Sequence, residues 1–94
     1  MNIIKKRIHY RFTGRVQGVG FRYTAIHAAQ ALGITGWVYN DYDGSVQMEA
    51  QGKPESLVKL IETISHGMFI EIEGIEKKEL PLQEHESSFE LKDW

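Results

Sequence analysis

The stretch IHYRFTGRVQGVGFRYTAIHAAQALG, residues 8–33, decides the fold of this chain. Apolar and polar side chains alternate from Ile8 to Phe12, which is typical of a half-buried strand. From Phe21 onward the apolar residues recur at helical spacing, and Gly33 is a suitable helix stop. The sequence therefore predicts a strand and a helix joined by a loop that contains glycine.

Two strands and a second helix follow. Residues 34–40 and 45–51 each show strand-like patterns, and the turn between them contains Gly44, a residue that accepts a positive φ. Pro54 suits the first turn of a helix, because that position needs no backbone donor. The apolar spacing predicts that this helix ends near residues 65–67.

The last third of the chain predicts one long strand and one short one. Isoleucines alternate with glutamates from residue 70, and Gly74 interrupts the alternation, so we expect a β-bulge there. Residues 80–88 are polar and predict a loop. Residues 89–91 predict a short edge strand.

The order strand, helix, strand, strand, helix, strand predicts an α+β fold. Each helix has one apolar side, so both must cover the same face of one antiparallel sheet. This arrangement is the ferredoxin-like sandwich, βαββαβ. Because that architecture supports many unrelated functions, the function must be sought in a local site.

The composition predicts one small soluble domain, residues 1–94. With 41% hydrophobic and 26% charged residues, folding must rest on packing. The chain has no cysteine, which fits the cytosol, and the basic N-terminal stretch 1–7 is followed by no apolar segment of membrane length. Lys5, Lys6 and Arg7 are expected to be solvated. A net charge of -2 argues against nucleic-acid binding through the overall field, so any anion site must be built locally.

The segment GRVQGVGFR, residues 14–22, is the candidate for such a site. Glycines occupy three of its nine positions and let backbone N–H groups converge at the start of the following helix. Arg22 lies in or beside the first helical turn, where its guanidinium can donate two hydrogen bonds to phosphate oxygens. The alternative is a tight turn beside an ordinary surface arginine. The spacing matches neither GxxxxGK nor GxGxxG.

The same segment resembles the first signature of the acylphosphatase family. Residues 36–40, GWVYN, resemble the second signature, with Gly44, Val46 and Gly52 following at fitting intervals. The resemblance covers nearly the whole chain and implies the ferredoxin-like fold, a single acylphosphatase-like domain and a cytosolic, monomeric enzyme.

The resemblance also implies roles for site residues. Arg22 is implied to be essential, and Asn40 is implied to orient the attacking water. The implied phosphate-binding loop consists of Gln17, Gly18, Val19, Gly20, Phe21 and Arg22. From the residues alone, Asn40 also fits a structural asparagine that tolerates an unusual backbone angle at a strand end.

The chemistry of these residues narrows the substrate. The motif contains no carboxylate, histidine or serine and no cluster of metal ligands, so we expect no cofactor, no metal and no covalent intermediate. An acyl phosphate suits such a site, because its leaving carboxylate has a conjugate acid with a pKa of about 4 and departs without a proton. The predicted activity is hydrolysis of acyl phosphates, EC 3.6.1.7, and the only expected partner is this small substrate.

Two positions depart from the family pattern. Tyr39 stands where a long polar side chain is usual, and residues 65–70 lack the usual proline-bearing turn. Both departures bear on substrate preference more than on the reaction. Trp37 and Tyr39 are expected to pack rather than to form a stacking platform, and the histidines are assigned no role.

Two other functions compete with hydrolysis. Related domains inside larger maturation proteins suggest a noncatalytic module that binds carbamoyl phosphate, although the short length disfavours it. An RNA-binding domain of the same strand-helix order would need aromatic side chains on the open face of its central strands. We expect that face to carry polar residues, so RNA binding is disfavoured; these residues are His9, Arg11, Thr13, Ser45, Gln47 and Glu49.

Overall fold

The computed structural model describes residues 4–93, so the first three residues of the N-terminal stretch and Trp94 lie outside the described residues. Within them the chain forms five strands and two helices. In chain order these are β1 (Lys6–Arg15), α1 (Phe21–Leu32), β2 (Thr35–Asn40), β3 (Val46–Gly52), α2 (Pro54–Ser65), β4 (Glu71–Leu80) and β5 (Phe89–Leu91).

The strands form one sheet in the order β4-β1-β3-β2-β5. The pairs β1 with β3, β1 with β4, and β2 with β3 are antiparallel. Strand β5 instead runs parallel to β2, because the chain crosses from one edge of the sheet to the other after β4. The predicted ferredoxin-like α+β fold is confirmed, and the short last strand makes the sheet mixed.

Alternation along the strands separates a core face from an outer face. Tyr10 and Phe12 on β1 are buried, and Val38 on β2 and Met48 on β3 have no exposed surface. They pack with the apolar sides of both helices in one hydrophobic cluster. The residues that the two helices contribute to that cluster are Phe21, Ala25, Ala29, Leu57, Leu60 and Ile64.

The predicted boundaries of the helices agree with the structure. Gly33 ends α1 in a left-handed conformation, with a φ of 69°. Pro54 is the first residue of α2, and Glu55 lies in its first turn, near the positive end of the helix dipole. The bulge is also confirmed, because the register between β1 and β4 shifts at Gly14 and skips Glu73, next to Gly74.

The expectation that Arg7 is solvated is wrong. Only 1% of Arg7 is exposed, and its Nε donates to Glu49 Oε1 at 2.9 Å. Its two terminal nitrogens donate to the carboxylate of Glu86 at 2.7 and 3.2 Å. The reason is that residues 81–88 fold over the outer face of the sheet and bring Glu86 to Arg7.

The predicted loop after β4 is therefore attached to the sheet. Gln51 Nε2 donates to the Gln83 carbonyl at 3.0 Å, and the Gln83 N–H donates back to Gln51 Oε1 at 2.8 Å. This reciprocal pair and the Arg7–Glu86 pair hold the polar segment in place as it leads to β5.

Trp37 and Tyr39, which were expected to pack rather than to form a stacking platform, lie on the outer face of the sheet. Val38 faces the core, so its neighbours Trp37 and Tyr39 point to the outer face, where both are half-buried. Trp37 packs edge-on against His9, with ring centroids 5.8 Å apart. The burial of the Tyr39 ring, with the charges of Asp41 and nearby groups, raises the pKa of Tyr39.

Candidate active site

The loop between β1 and α1 is anchored at both ends by buried side chains. Val16 is 1% exposed, and Phe21 packs against Phe12 with ring centroids 4.8 Å apart. Between these anchors, Gly18 and Gly20 adopt φ values of 71° and 83°. A Cβ at either position would meet open space, so glycine is needed there for its backbone angle. The exposed middle of the loop is thus shaped by backbone conformation.

The start of α1 has no side-chain cap. Gly20 occupies the N-cap position and contributes only its carbonyl, which accepts from the Thr24 N–H at 3.0 Å. The first turn contains no acidic residue. The N–H groups of this turn therefore keep their partial positive charge for an anion that lies beyond the helix.

Arg22 adds a full positive charge at the same place. It lies in the first turn of α1 and is half-buried. Within residues 4–93 its guanidinium forms no hydrogen bond or ion pair, whereas Arg7 is fully paired and Arg11 bonds to Asp43 at 3.1 Å and to Glu76 at 3.4 Å. Arg22 is available for a ligand in a way that those two arginines are not.

Asn40 is the last residue of β2 and faces the same side of the sheet as Val38. Its Oδ1 is buried, yet it accepts no hydrogen bond from any group in the described part of the chain. Leaving such an acceptor unsatisfied costs about 1–3 kcal/mol. Among residues 4–93 only glycines have a positive φ, so an unusual backbone angle does not explain the asparagine.

One cavity of about 340 Å³ brings these groups together. Of the predicted site residues, those that line it are Gly18, Gly20, Phe21, Arg22 and Asn40. Arg22 from the helix and Asn40 from β2 thus face the same space. The cavity combines backbone donors, a guanidinium and a carboxamide, which is a set suited to binding an oxyanion beside a water molecule.

Two predicted loop residues lie outside the cavity lining. Gln17 Nε2 donates to the Asp41 carbonyl and, at 2.8 Å, to the Ser45 carbonyl, so its side chain joins the loop to the β2–β3 hairpin. Val19 is half-buried and packs against the core. Tyr39, the departure from the family pattern, points to the outer face and does not line the cavity either.

Val16, which lies in the motif but outside the implied phosphate-binding loop, also lines the cavity, and three further lining residues were missed by sequence reasoning. They are Tyr23, Ile26 and Leu91. Ile26 follows Arg22 by four positions on the same helix, so helical spacing offered a signal for it, whereas Tyr23 is simply the next residue after Arg22. Leu91 had no local signal, because it reaches the cavity only through the pairing of β5 with β2.

The described residues were also compared with what a membrane-spanning helix and a metal site require. No helix in the described part of the chain is long and apolar enough to cross a bilayer. Within residues 4–93, no three side chains of His, Cys, Asp or Glu are grouped in a way that could hold a metal ion.

The family model and the curated relatives that match this chain point to one family. A family model described as Acylphosphatase matches residues 8–91. A protein named acylphosphatase from Caldanaerobacter subterraneus subsp. tengcongensis is 40% identical over 89 residues, which cover 94% of this chain and 99% of that protein. The crystal structure of Bacillus subtilis acylphosphatase matches with a TM-score of 0.86 and 31% identity, over 94% of this chain and 99% of that one.

A longer protein contains a similar unit. The crystal structure of T. kodakarensis HypF matches with a TM-score of 0.80 and 31% identity, over 94% of this chain and 12% of that chain. The family model matches most of this chain, and a relative of similar size is 40% identical to it. The chain therefore belongs to the acylphosphatase family.

Proposed function

We propose that this protein hydrolyses the carboxyl–phosphate bond of acyl phosphates to a carboxylate and inorganic phosphate, without a metal ion. The family and its relatives support acyl phosphate hydrolysis. The observation that carries the residue roles is the cavity that the unpaired Arg22 and Asn40 both line.

The phosphoryl group would bind at the loop. Backbone N–H groups of residues 17–22 and the guanidinium of Arg22 would donate to its oxygens. Because these donors belong to one loop and one helical turn, they would need little reorganisation as charge is redistributed in the transition state. Phosphoryl transfer depends mainly on such positioning and charge stabilisation.

Asn40 would position the nucleophile. Its carboxamide lines the cavity and can hydrogen-bond a water molecule there, which directs a lone pair of the water at phosphorus. A carboxamide is too weak a base to remove the proton, so we assign the proton to a phosphoryl oxygen of the substrate. The P–O bond to the acyl group breaks, and its electron pair leaves on the carboxylate.

The leaving group explains why this small set of residues is sufficient. A carboxylate departs without protonation, since the pKa of its conjugate acid is about 4. Arg22, Asn40 and the loop amides therefore supply binding and orientation, while the reactivity resides in the substrate.

We infer that the chain acts as one domain and as a monomer in the cytosol, on a small molecule and not on nucleic acid. One hydrophobic cluster shared by all the major elements supports a single domain. On the outer face, Arg7 and Arg11 are paired with carboxylates, which supports the expectation that this face does not bind RNA.

Hydrolysis of benzoyl phosphate in the presence of a chelator tests this function. We expect wild-type turnover to persist with the chelator. Arg22→Ala should lower kcat/KM by about 10²–10³-fold, the usual effect of removing one oriented donor. Asn40→Ala should lower kcat while leaving inhibition by inorganic phosphate unchanged, because its role lies in positioning water.

Arg15→Ala is the matched control, since Arg15 is exposed and does not line the cavity. It should retain nearly full kcat/KM. Undiminished turnover of Arg22→Ala would contradict the mechanism, and loss of turnover with the chelator would contradict metal independence.

A noncatalytic module that binds carbamoyl phosphate or a similar metabolite is the second candidate, and the similarity to one segment of the much longer HypF supports the idea of a module. The two candidates differ in turnover. Binding of inorganic phosphate that depends on Arg22, without hydrolysis of either benzoyl or carbamoyl phosphate, would favour the binding module.

A further inference from the structure

We propose that Tyr23, Ile26 and Leu91 form an acyl wall, a surface that binds the acyl group and makes the protein prefer acyl phosphates with large apolar acyl groups. These three residues line the same cavity as Arg22 and Asn40. The inference rests on the proposed function, because it assigns the acyl group of that substrate to the part of the cavity that the phosphoryl group does not occupy.

Two residues of the acyl wall come from α1. Tyr23 follows Arg22 directly, and Ile26 lies four positions after Arg22, on the same side of the helix. One helical turn is about 5.4 Å, so Ile26 lies about that far from Arg22 along the axis, away from the phosphate-binding loop. A substrate held by Arg22 therefore has an apolar surface within reach of its acyl group.

The third residue, Leu91, comes from the sheet. Leu91 is paired with Val38 in parallel register, so both side chains project from the same face of the sheet. The Lys92 N–H donates to the Val38 carbonyl at 2.9 Å and fixes the end of β5. Asn40 follows two residues later on β2, about 7 Å further along the strand, and also faces this side.

Two side chains of the acyl wall are exposed to solvent, as expected for an apolar surface that a ligand covers. Tyr23 is 70% exposed and Leu91 is 49% exposed, although both are large and partly or wholly apolar. Covering such surface with an apolar group is favourable in proportion to the area removed from water. A benzoyl group can cover much of the wall, whereas the methyl group of acetyl phosphate covers little.

The kinetic consequence follows from the position of the wall. The acyl wall contacts a part of the substrate that changes little during the reaction, so it stabilises the bound substrate and the transition state alike. Interactions of that kind lower KM and leave kcat nearly unchanged. The preference for an apolar acyl group should therefore be expressed in KM.

The test is the ratio of kcat/KM for benzoyl phosphate to kcat/KM for acetyl phosphate. We expect Leu91→Ser and Tyr23→Ala each to lower this ratio by about fivefold, through a higher KM for benzoyl phosphate. Inhibition by inorganic phosphate should stay the same in both variants, because phosphate does not reach the wall. Ile26 is left unchanged, since it is half-buried against the core and its truncation would also affect folding.

Leu82→Ser is the matched control. Leu82 is 50% exposed and does not line the cavity, so its replacement should not change the ratio. An unchanged ratio in both wall variants, or an equal fall in Leu82→Ser, would overturn the acyl wall alone. Failure of the wild type to hydrolyse either substrate would overturn the proposed function and the acyl wall together.

Discussion

At the scale of single residues, the surroundings of a side chain decide what it can do. Arg7 and Arg22 carry the same group, but Arg7 is enclosed by Glu49 and Glu86 while Arg22 faces a cavity. Burial disfavours the charged form of Arg7, but hydrogen bonds and charges from the two glutamates outweigh it and raise the pKa of Arg7. A paired guanidinium stabilises the fold, whereas an unpaired one is free to bind a ligand.

Gln17 offers a test of positioning at this scale. Its carboxamide joins the phosphate-binding loop to the hairpin that follows Asn40. Gln17→Met keeps the length of the side chain but removes both donated hydrogen bonds, so the loop should lose its alignment with Asn40. We expect kcat/KM for benzoyl phosphate to fall by about 10-fold or more, since small displacements at a site are costly.

A second substitution sharpens this prediction. Gln17→Glu near neutral pH places a carboxylate against two carbonyl oxygens, so it should be more damaging than Gln17→Met. Gln30→Met is the control, because Gln30 is exposed on α1. Activity of Gln17→Met and Gln17→Glu equal to that of the control would show that the hydrogen bonds of Gln17 do not position the loop.

At the scale of elements, the β2–β3 hairpin is held by a local network around Asp43. The Asp43 carboxylate accepts hydrogen bonds from the Ser45 N–H at 2.8 Å and from Ser45 Oγ at 2.6 Å, and Arg11 donates to its other oxygen at 3.1 Å. These hydrogen bonds, with the charge of Arg11, lower the pKa of Asp43 from 3.8 to about 2. The hairpin is the element that ends β2 at Asn40, so its network supports the site.

The lowered pKa predicts how stability depends on pH. Between pH 3.8 and about 2, the unfolded chain binds a proton at Asp43 that the folded protein does not, so this contribution to stability is lost as the pH falls. Asp43→Asn removes the titration but keeps a side-chain acceptor for Ser45. We therefore expect wild type to have the higher Tm at pH 5 and the difference in Tm to shrink towards pH 2. A difference that stays constant across this range would contradict the assignment.

At the scale of the whole molecule, residues 81–88 connect the two edges of the sheet across its outer face. Arg7 and Gln51 hold this segment through Glu86 and Gln83. The segment leads to β5, and β5 delivers Leu91 to the cavity on the opposite face. Hydrogen bonds on the outer face thus hold the segment that leads to the strand lining the candidate site.

Removing Arg7 tests the importance of this connection. Arg7→Met leaves the mostly buried carboxylates of Glu49 and Glu86 without their shared cation, which should cost about 3 kcal/mol in the free energy of unfolding. Urea unfolding measures this change. Lys6→Met is the control, because Lys6 is exposed and its ion pair with Glu79 spans 3.8 Å, so its effect should stay within about 0.5 kcal/mol. Similar losses in the two variants would contradict the structural role of Arg7.

The sequence by itself determined the features that depend on neighbours along the chain. The alternation around Tyr10 and Phe12, the stop of α1 at Gly33 and the start of α2 at Pro54 follow from side-chain period and backbone preference. The motif at residues 14–22 likewise directed attention to Arg22, because a loop that enters a helix has donors to spare.

Only the tertiary structure decided which distant groups meet. Arg7 and Glu86 are separated by 79 positions in the chain, and no local pattern connects them. Leu91 enters the cavity because β5 pairs with β2, and Asn40 Oδ1 is buried without a hydrogen-bond partner among residues 4–93. Local preferences act over a few residues, whereas these contacts form only when the whole sheet has assembled, so they could not be predicted from spacing.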